Sequence, residues 1–189
     1  MKDGDLPQNK KNKRAQKDSP LRWTVTIIII SFFLSVLFNA ISEVSLKNVS
    51  IVPAFFILGA FIFIGIAFDV FGMAAATASE KPFHAMSSRK ISAAKRAIML
   101  VRNSEKVSNF CNDVVGDICG IMSGSTAAVI AGTLPISSPS LRFIITLVIM
   151  GFVASITIGG KALGKGFAIK YNSEIVLFMA QIISIFTKK

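Results

Sequence analysis

Three aspartates lie inside long apolar stretches of this chain, and a carboxylate at membrane depth is costly enough to default to a functional role. Asp69 sits well within PAFFILGAFIFIGIAFDVFGMAAATAS, residues 53–79. Asp113 and Asp117 are spaced i, i+4 in CNDVVGDICG, which puts both carboxylates on one helical face, and Asn112 adds an amide oxygen beside them. Such oxygens are what hard cations such as Mg²⁺ choose, and Ser79, Ser108, Asn109, Ser123 and Thr157 extend the donor set. Asp69, Asn112, Asp113 and Asp117 are therefore the predicted metal ligands. The competing reading for Asp113 and Asp117 is an interfacial ion pair with Arg102, Lys106, Lys161 or Lys165.

Other chemistry lacks its constellation. His84 is the single histidine and has no nucleophile motif around it, so neither a triad nor a zinc site can be assembled on it. Cys111 and Cys119 stand eight apart, at no metal-ligand spacing, and read as packing residues. There is no Walker loop and no GxGxxG, so no enzyme and no cofactor are predicted.

The elements that must carry these residues are set by hydropathy and charge. The chain has 189 residues, 52% hydrophobic and only 16% charged, against about a quarter charged in soluble domains, with a mean hydropathy of +0.63. Its apolar residues fall in blocks long enough to cross a bilayer, which predicts an all-α integral membrane protein. Four transmembrane helices are expected, over about 23–41, 53–79, 112–135 and 143–160. Trp23 would anchor the first of them. A signal peptide is the rival for that block, with Phe38-Asn39-Ala40 as a weak cleavage site, although the apolar run is longer than an ordinary h-region.

Charge sets the orientation. The net charge of +11 comes from seven cations in residues 1–22, seven in residues 80–111 and five in 161–189, with only Lys47 and Arg142 in the remaining loops. By the positive-inside rule both termini are cytoplasmic in a multi-pass cell-membrane protein, and the charge reports topology rather than nucleic-acid binding. Residues 1–22 form a disordered basic tail. Residues 80–111 form an amphipathic connector along the inner leaflet, with Ile91, Ala94, Ile98, Val101 and Phe110 opposite Lys95, Arg96 and Arg102. Residues 161–189 form a juxtamembrane segment, because SEIVLFMAQIISIF is short for a span.

Two glycine patterns complete the reading. Gly116, Gly120 and Gly124 make GxxxGxxxG, a helix-packing signal within or between subunits. Gly159, Gly160, Gly164 and Gly166 either break the last span toward a cavity or end it.

From about Asp69 to Ala168 the chain resembles the membrane domain of the CNNM/CorC magnesium transporter family. FDVFGMAAATA is similar to the small-residue motif closing that family's first core helix. SAAKRAIMLVRNSEKVSNFCNDVVGDI resembles its cytoplasmic belt followed by a core helix that opens with an asparagine, here Asn112. GKALGKGFA looks like its last conserved segment, matching at Gly160, Lys165 and Ala168. The resemblance implies a three-helix core plus one extra N-terminal helix, a homodimer, and binding or transport of a divalent cation. The chain departs from the pattern where Ala76 replaces a glutamate, with Glu80 as a shifted alternative, where Lys161 replaces a second glutamate, and where Gly164 replaces a proline. The paired CBS domains that usually follow are not in this sequence. In that setting Lys161 is a charge partner standing in for a cation. The alternative function is a non-transporting membrane adaptor that binds anionic lipid or a partner protein.

Overall fold

A computed structural model describes residues 20–46, 51–91 and 93–186. The expectations for residues 1–19, for Lys47 and for Lys188 and Lys189 fall outside these, as does the side chain of Trp23. The described residues are helical apart from short turns, with no strand among them. Among them, three helices are long and apolar enough to cross a membrane: Ile51–Thr77, Ser104–Thr133 and Pro139–Lys170.

In chain order the elements are α1 (Pro20–Leu46), α2 (Ile51–Thr77), α3 (Glu80–Ser88), α4 (Ala94–Arg102), α5 (Ser104–Asn109), a π-helical segment (Phe110–Gly116), α6 (Asp117–Thr133), α7 (Pro139–Lys170) and α8 (Asn172–Phe186). Several boundaries differ from the sequence reading. Helix α1 already begins at Pro20, inside the stretch expected as tail, and its apolar run is Thr24–Ala40. The expected third block at 112–135 is the C-terminal part of a 30-residue helix beginning at Ser104. The last span does not stop at residue 160, because α7 runs unbroken to Lys170.

Helix α2 is the hub, flanked by α6 and α7. It runs antiparallel to the π segment and α6, with Gly65 against Cys119 and Gly116, and Gly72 against Asn112. It runs parallel to α7, with Ile66 against Gly160 and Val70 against Gly164. At one end Ala54, Leu58, Ala127, Ile130 and Val153 close the bundle. Helix α1 lies along α6, where Ile27 and Leu34 pack with Phe61 onto Val114, Ile118 and Met122. Large apolar side chains such as Phe56, Phe63, Val148 and Phe152 point outward from the spans, as a lipid solvent permits and water does not.

Two of the glycines near residue 160, Gly160 and Gly164, are explained by close packing, and neither expectation for them holds. A Cβ on Gly164 would stand 2.7 Å from the Val70 side chain, and one on Gly160 would overlap Ile66. They neither break nor end the helix; they let α7 approach α2 closely.

The connector differs more. It folds into α3 and α4 and buries its apolar face on the bundle's own end instead of on lipid. Phe83, Ala93, Ala97 and Ile98 join Ala74 and Ala75 of α2, Ala168 of α7 and Ile175, Val176 and Ala180 of α8 in one core. Of the five apolar residues expected to face the leaflet, Ala94 and Ile98 are buried, whereas Ile91 and Phe110 are exposed. Helix α8 is correspondingly a packed part of this end, tied by Asn172 Nδ2 donating to the Thr77 carbonyl at 3.3 Å. Packing Phe83, Ala93, Ala97 and Ile98 against six core side chains of α2, α7 and α8 buries apolar area on both sides of the contact at once.

An exposed latch joins the start of α3 to the end of α4. Ser79 caps α3, and Glu80 in the first turn accepts from Arg102 Nε at 3.0 Å, with His84 Nε2 at 3.1 Å from the same oxygen. The Arg102 hydrogen bond first, and His84 second, hold the Glu80 carboxyl below its ordinary value. A depressed folded-state value stabilises above the unfolded value, and that stabilisation is lost as pH falls through the folded one. The unfolding temperature of Glu80→Gln should therefore fall less steeply than that of the parent as pH drops below the ordinary carboxylate range, and should lie slightly lower at neutral pH. Parallel slopes at acid pH would show that the latch carries no stability.

Candidate functional site

The polar centre forms where α2, the π segment and α7 meet. Gly65, Asp69 and Gly72 are spaced i, i+4, i+7, so they share one face of α2, and contacts at both glycines turn that face to the π segment. Asp69 is only 4% exposed. Lys165 Nζ lies 3.9 Å from Asp69 Oδ2, and Lys161 Nζ donates to the Gly116 carbonyl at 3.5 Å. The two ammonium groups are one turn apart on α7. Asn112 Nδ2 donates to Ser108 Oγ at 3.2 Å, while its Oδ1 rests over Gly72. Asp69 Oδ2 and Asn112 Oδ1 are both buried without a hydrogen-bond partner.

The π winding gives Asn112 this position. An i→i+5 turn places one more residue in the turn than an α-helix does, and such bulges recur at functional sites. Within it, Cys111, Val114 and Gly116 are buried and Asn112 half-buried, whereas Asp113 and, just beyond, Asp117 are exposed. Both carboxylates lie on the outside of the bundle.

The predicted ligand set is therefore divided. Asp69 and Asn112 border the same α2 face, while Asp113 and Asp117 point away and have no ion pair among the described residues. No group of three or more His, Cys, Asp or Glu side chains able to hold a metal ion occurs among the described residues. Ala76 is exposed, and Glu80 is spent in the Arg102 latch outside the spans. Lys161 reaches the Gly116 carbonyl and has no ion pair among the described residues.

The glycine stripe is likewise divided. Gly116 packs close to Gly65, but a Cβ on Gly120 or Gly124 would meet nothing within 4 Å. Within this chain the GxxxG pattern is a packing surface only at its first member. No family model, no curated protein and no solved structure matches the chain.

The sequence reading missed the Asp69–Lys165 pair and the part played by Gly72. The i, i+4, i+7 spacing of Gly65, Asp69 and Gly72 was the available signal, because two small residues flanking a carboxylate on one face mark where another helix comes close. Chemically the centre is one carboxylate paired with the Lys165 ammonium, with the Lys161 ammonium on the Gly116 carbonyl and the Asn112 amide oxygen nearby.

Proposed function

We propose that the protein is a non-transporting adaptor of the cell membrane, crossing it four times with both termini cytoplasmic, that binds anionic lipid of the inner leaflet. The observation that carries this reading is the connector. Its apolar face is consumed by the bundle, so Lys81, Arg89, Lys90 and Lys95 are left exposed at the end to which α7 also brings Lys165 and Lys170. Cations held at the membrane surface by a folded scaffold are each worth about 1 kcal/mol toward anionic lipid. In this reading the centre around Asp69 is a structural ion pair, as befits a degenerate relative of the CNNM/CorC membrane domain.

The test is thermal unfolding in lipid nanodiscs of increasing phosphatidylglycerol content at constant thickness. The parent should gain stability with anionic lipid, and the combined variant Lys81→Gln, Arg89→Gln, Lys90→Gln, Lys95→Gln should lose most of that gain, while both behave alike in phosphatidylcholine. An equal response of parent and variant removes the reading.

A second reading is binding or transport of a divalent cation, most simply Mg²⁺, by a homodimer. It is favoured by the two buried oxygens without a partner, Asp69 Oδ2 and Asn112 Oδ1. Unfolding across Mg²⁺ concentration, with Ca²⁺ and Na⁺ as controls, separates the two. A saturable Mg²⁺-selective rise that Asp69→Asn abolishes supports the cation, and a flat response supports the adaptor.

A further inference from the structure

A groove of about 600 Å³ runs between α6 and α7 on the outside of the bundle. Its floor is made by Gly120 and Gly124 of α6 and Gly151 and Ala154 of α7, and Lys161 closes one end. The small residues leave the space empty. The polar residues along it do not wet it, because Ser123 Oγ donates to the Gly120 carbonyl at 2.9 Å and Thr157 Oγ1 to the Val153 carbonyl at 2.8 Å. The groove is thus apolar along its length and cationic at its end. Lys161 is only half-buried and spends a single long hydrogen bond on Gly116, which leaves donors of its ammonium for another acceptor.

Depth identifies the acceptor. The residues between Arg142 and Lys161 carry no charge and belong to one continuous helix. At about 1.5 Å per residue they separate the two cations by about 28 Å, which matches the hydrocarbon thickness of about 30 Å. Lys161 therefore stands at headgroup level, and the groove leads from it into the hydrocarbon. We propose that this groove is a binding site for an anionic phospholipid of the inner leaflet, with an acyl chain along Gly120, Gly124, Gly151 and Ala154 and the phosphate on Lys161. This rests on the anionic-lipid reading above and gives it a specific site. A second copy of the same face would bring the same ammonium to a two-fold contact, whereas a phosphate complements it.

The full chain, purified in mild detergent, is titrated with phosphatidylglycerol or phosphatidylcholine, and bound lipid is counted by native mass spectrometry beside the oligomeric state. Gly124→Leu puts a branched side chain into the groove from a position where a Cβ meets nothing within 4 Å. The parent is expected to retain one phosphatidylglycerol in preference to phosphatidylcholine. Lys161→Gln should weaken that retention about fivefold, and Gly124→Leu should abolish it with the unfolding temperature kept. The connector variant with four glutamines should keep this one lipid while losing the diffuse response to anionic nanodiscs. If only the connector variant loses phosphatidylglycerol, the groove site is overturned and the adaptor reading stands. If no variant changes anionic-lipid binding, both fall. A Gly124→Leu protein that goes from dimer to monomer with lipid retention unchanged assigns the groove to a second copy and overturns the proposal, as does equal retention of the two lipids.

Discussion

Lys165→Met is expected to destabilise the protein by about 3 kcal/mol, and Asp69→Asn by less than about 1 kcal/mol, although the two changes break the same ion pair. The asymmetry follows from burial. The Asp69 side chain is 5% exposed and that of Lys165 is 47% exposed. Removing the lysine leaves a carboxylate enclosed between helices without its ammonium, and a stranded buried charge is among the larger single losses a fold sustains. Half of Lys165 already reaches solvent or headgroups, so the ammonium left by Asp69→Asn simply swings outward. The half-exposure also places the loss near the lower end of what breaking a buried pair costs. In thermal unfolding of detergent-purified protein, the double variant Lys165→Met, Asp69→Asn should recover most of the stability lost by Lys165→Met alone. If the double variant is as unstable as the sum of the singles, the pair is not coupled and Lys165 acts through packing.

Gly72→Val should cost about 2 kcal/mol, at a helical position where replacing glycine with a better helix former is ordinarily neutral or favourable. The opposite sign comes from Asn112. A Cβ at residue 72 overlaps its amide oxygen and stands 2.7 Å from its Cγ, and the amide is held from behind by Ser108. Asn112 has only two rotatable bonds with which to yield, and the π turn that carries it is packed on α2. Shortening that side chain should therefore rescue the variant. Gly72→Val, Asn112→Ala is expected to be more stable than Gly72→Val alone, while Asn112→Ala by itself costs about 1 kcal/mol, because it gives up only the part-buried hydrogen bond to Ser108 Oγ and its amide oxygen has no partner to lose. Measured with the same unfolding assay, a Gly72→Val protein as stable as its parent would show that α2 and the π segment do not touch as described.

The three long apolar helices were legible because hydropathy over some twenty residues depends on composition alone and no tertiary contact alters it. The four-residue spacing of Asp113 and Asp117 was legible for a similar reason, since it is a property of the chain read locally. Asp69 stood out as a carboxylate embedded in an apolar run. None of these features states which way a face turns. Whether Asp113 and Asp117 looked into the bundle or out of it depended on the phase of the helix about its axis, and the π segment between Phe110 and Gly116 resets that phase without leaving a mark in residue spacing.

The connector teaches the same lesson from the other side. Its amphipathic pattern required that Ala94 and Ile98 be buried, and they are, but an apolar stripe is satisfied equally by lipid or by another helix. Only the assembled structure chose α8 and the end of α2. In the same way the glycines of α7 suggested a break or a helix end, and only the approach of Ile66 to Gly160 and of Val70 to Gly164 showed a close helix contact instead. The sequence by itself determined which segments are apolar, which residues are ionisable within them, and where positive charge accumulates, because each is a property of the chain read locally. The tertiary structure alone decided that Asp69 meets Lys165, that Asn112 rests on Gly72 and that Gly120 and Gly124 stay open, because each depends on helices distant in sequence arriving at one place with one rotation.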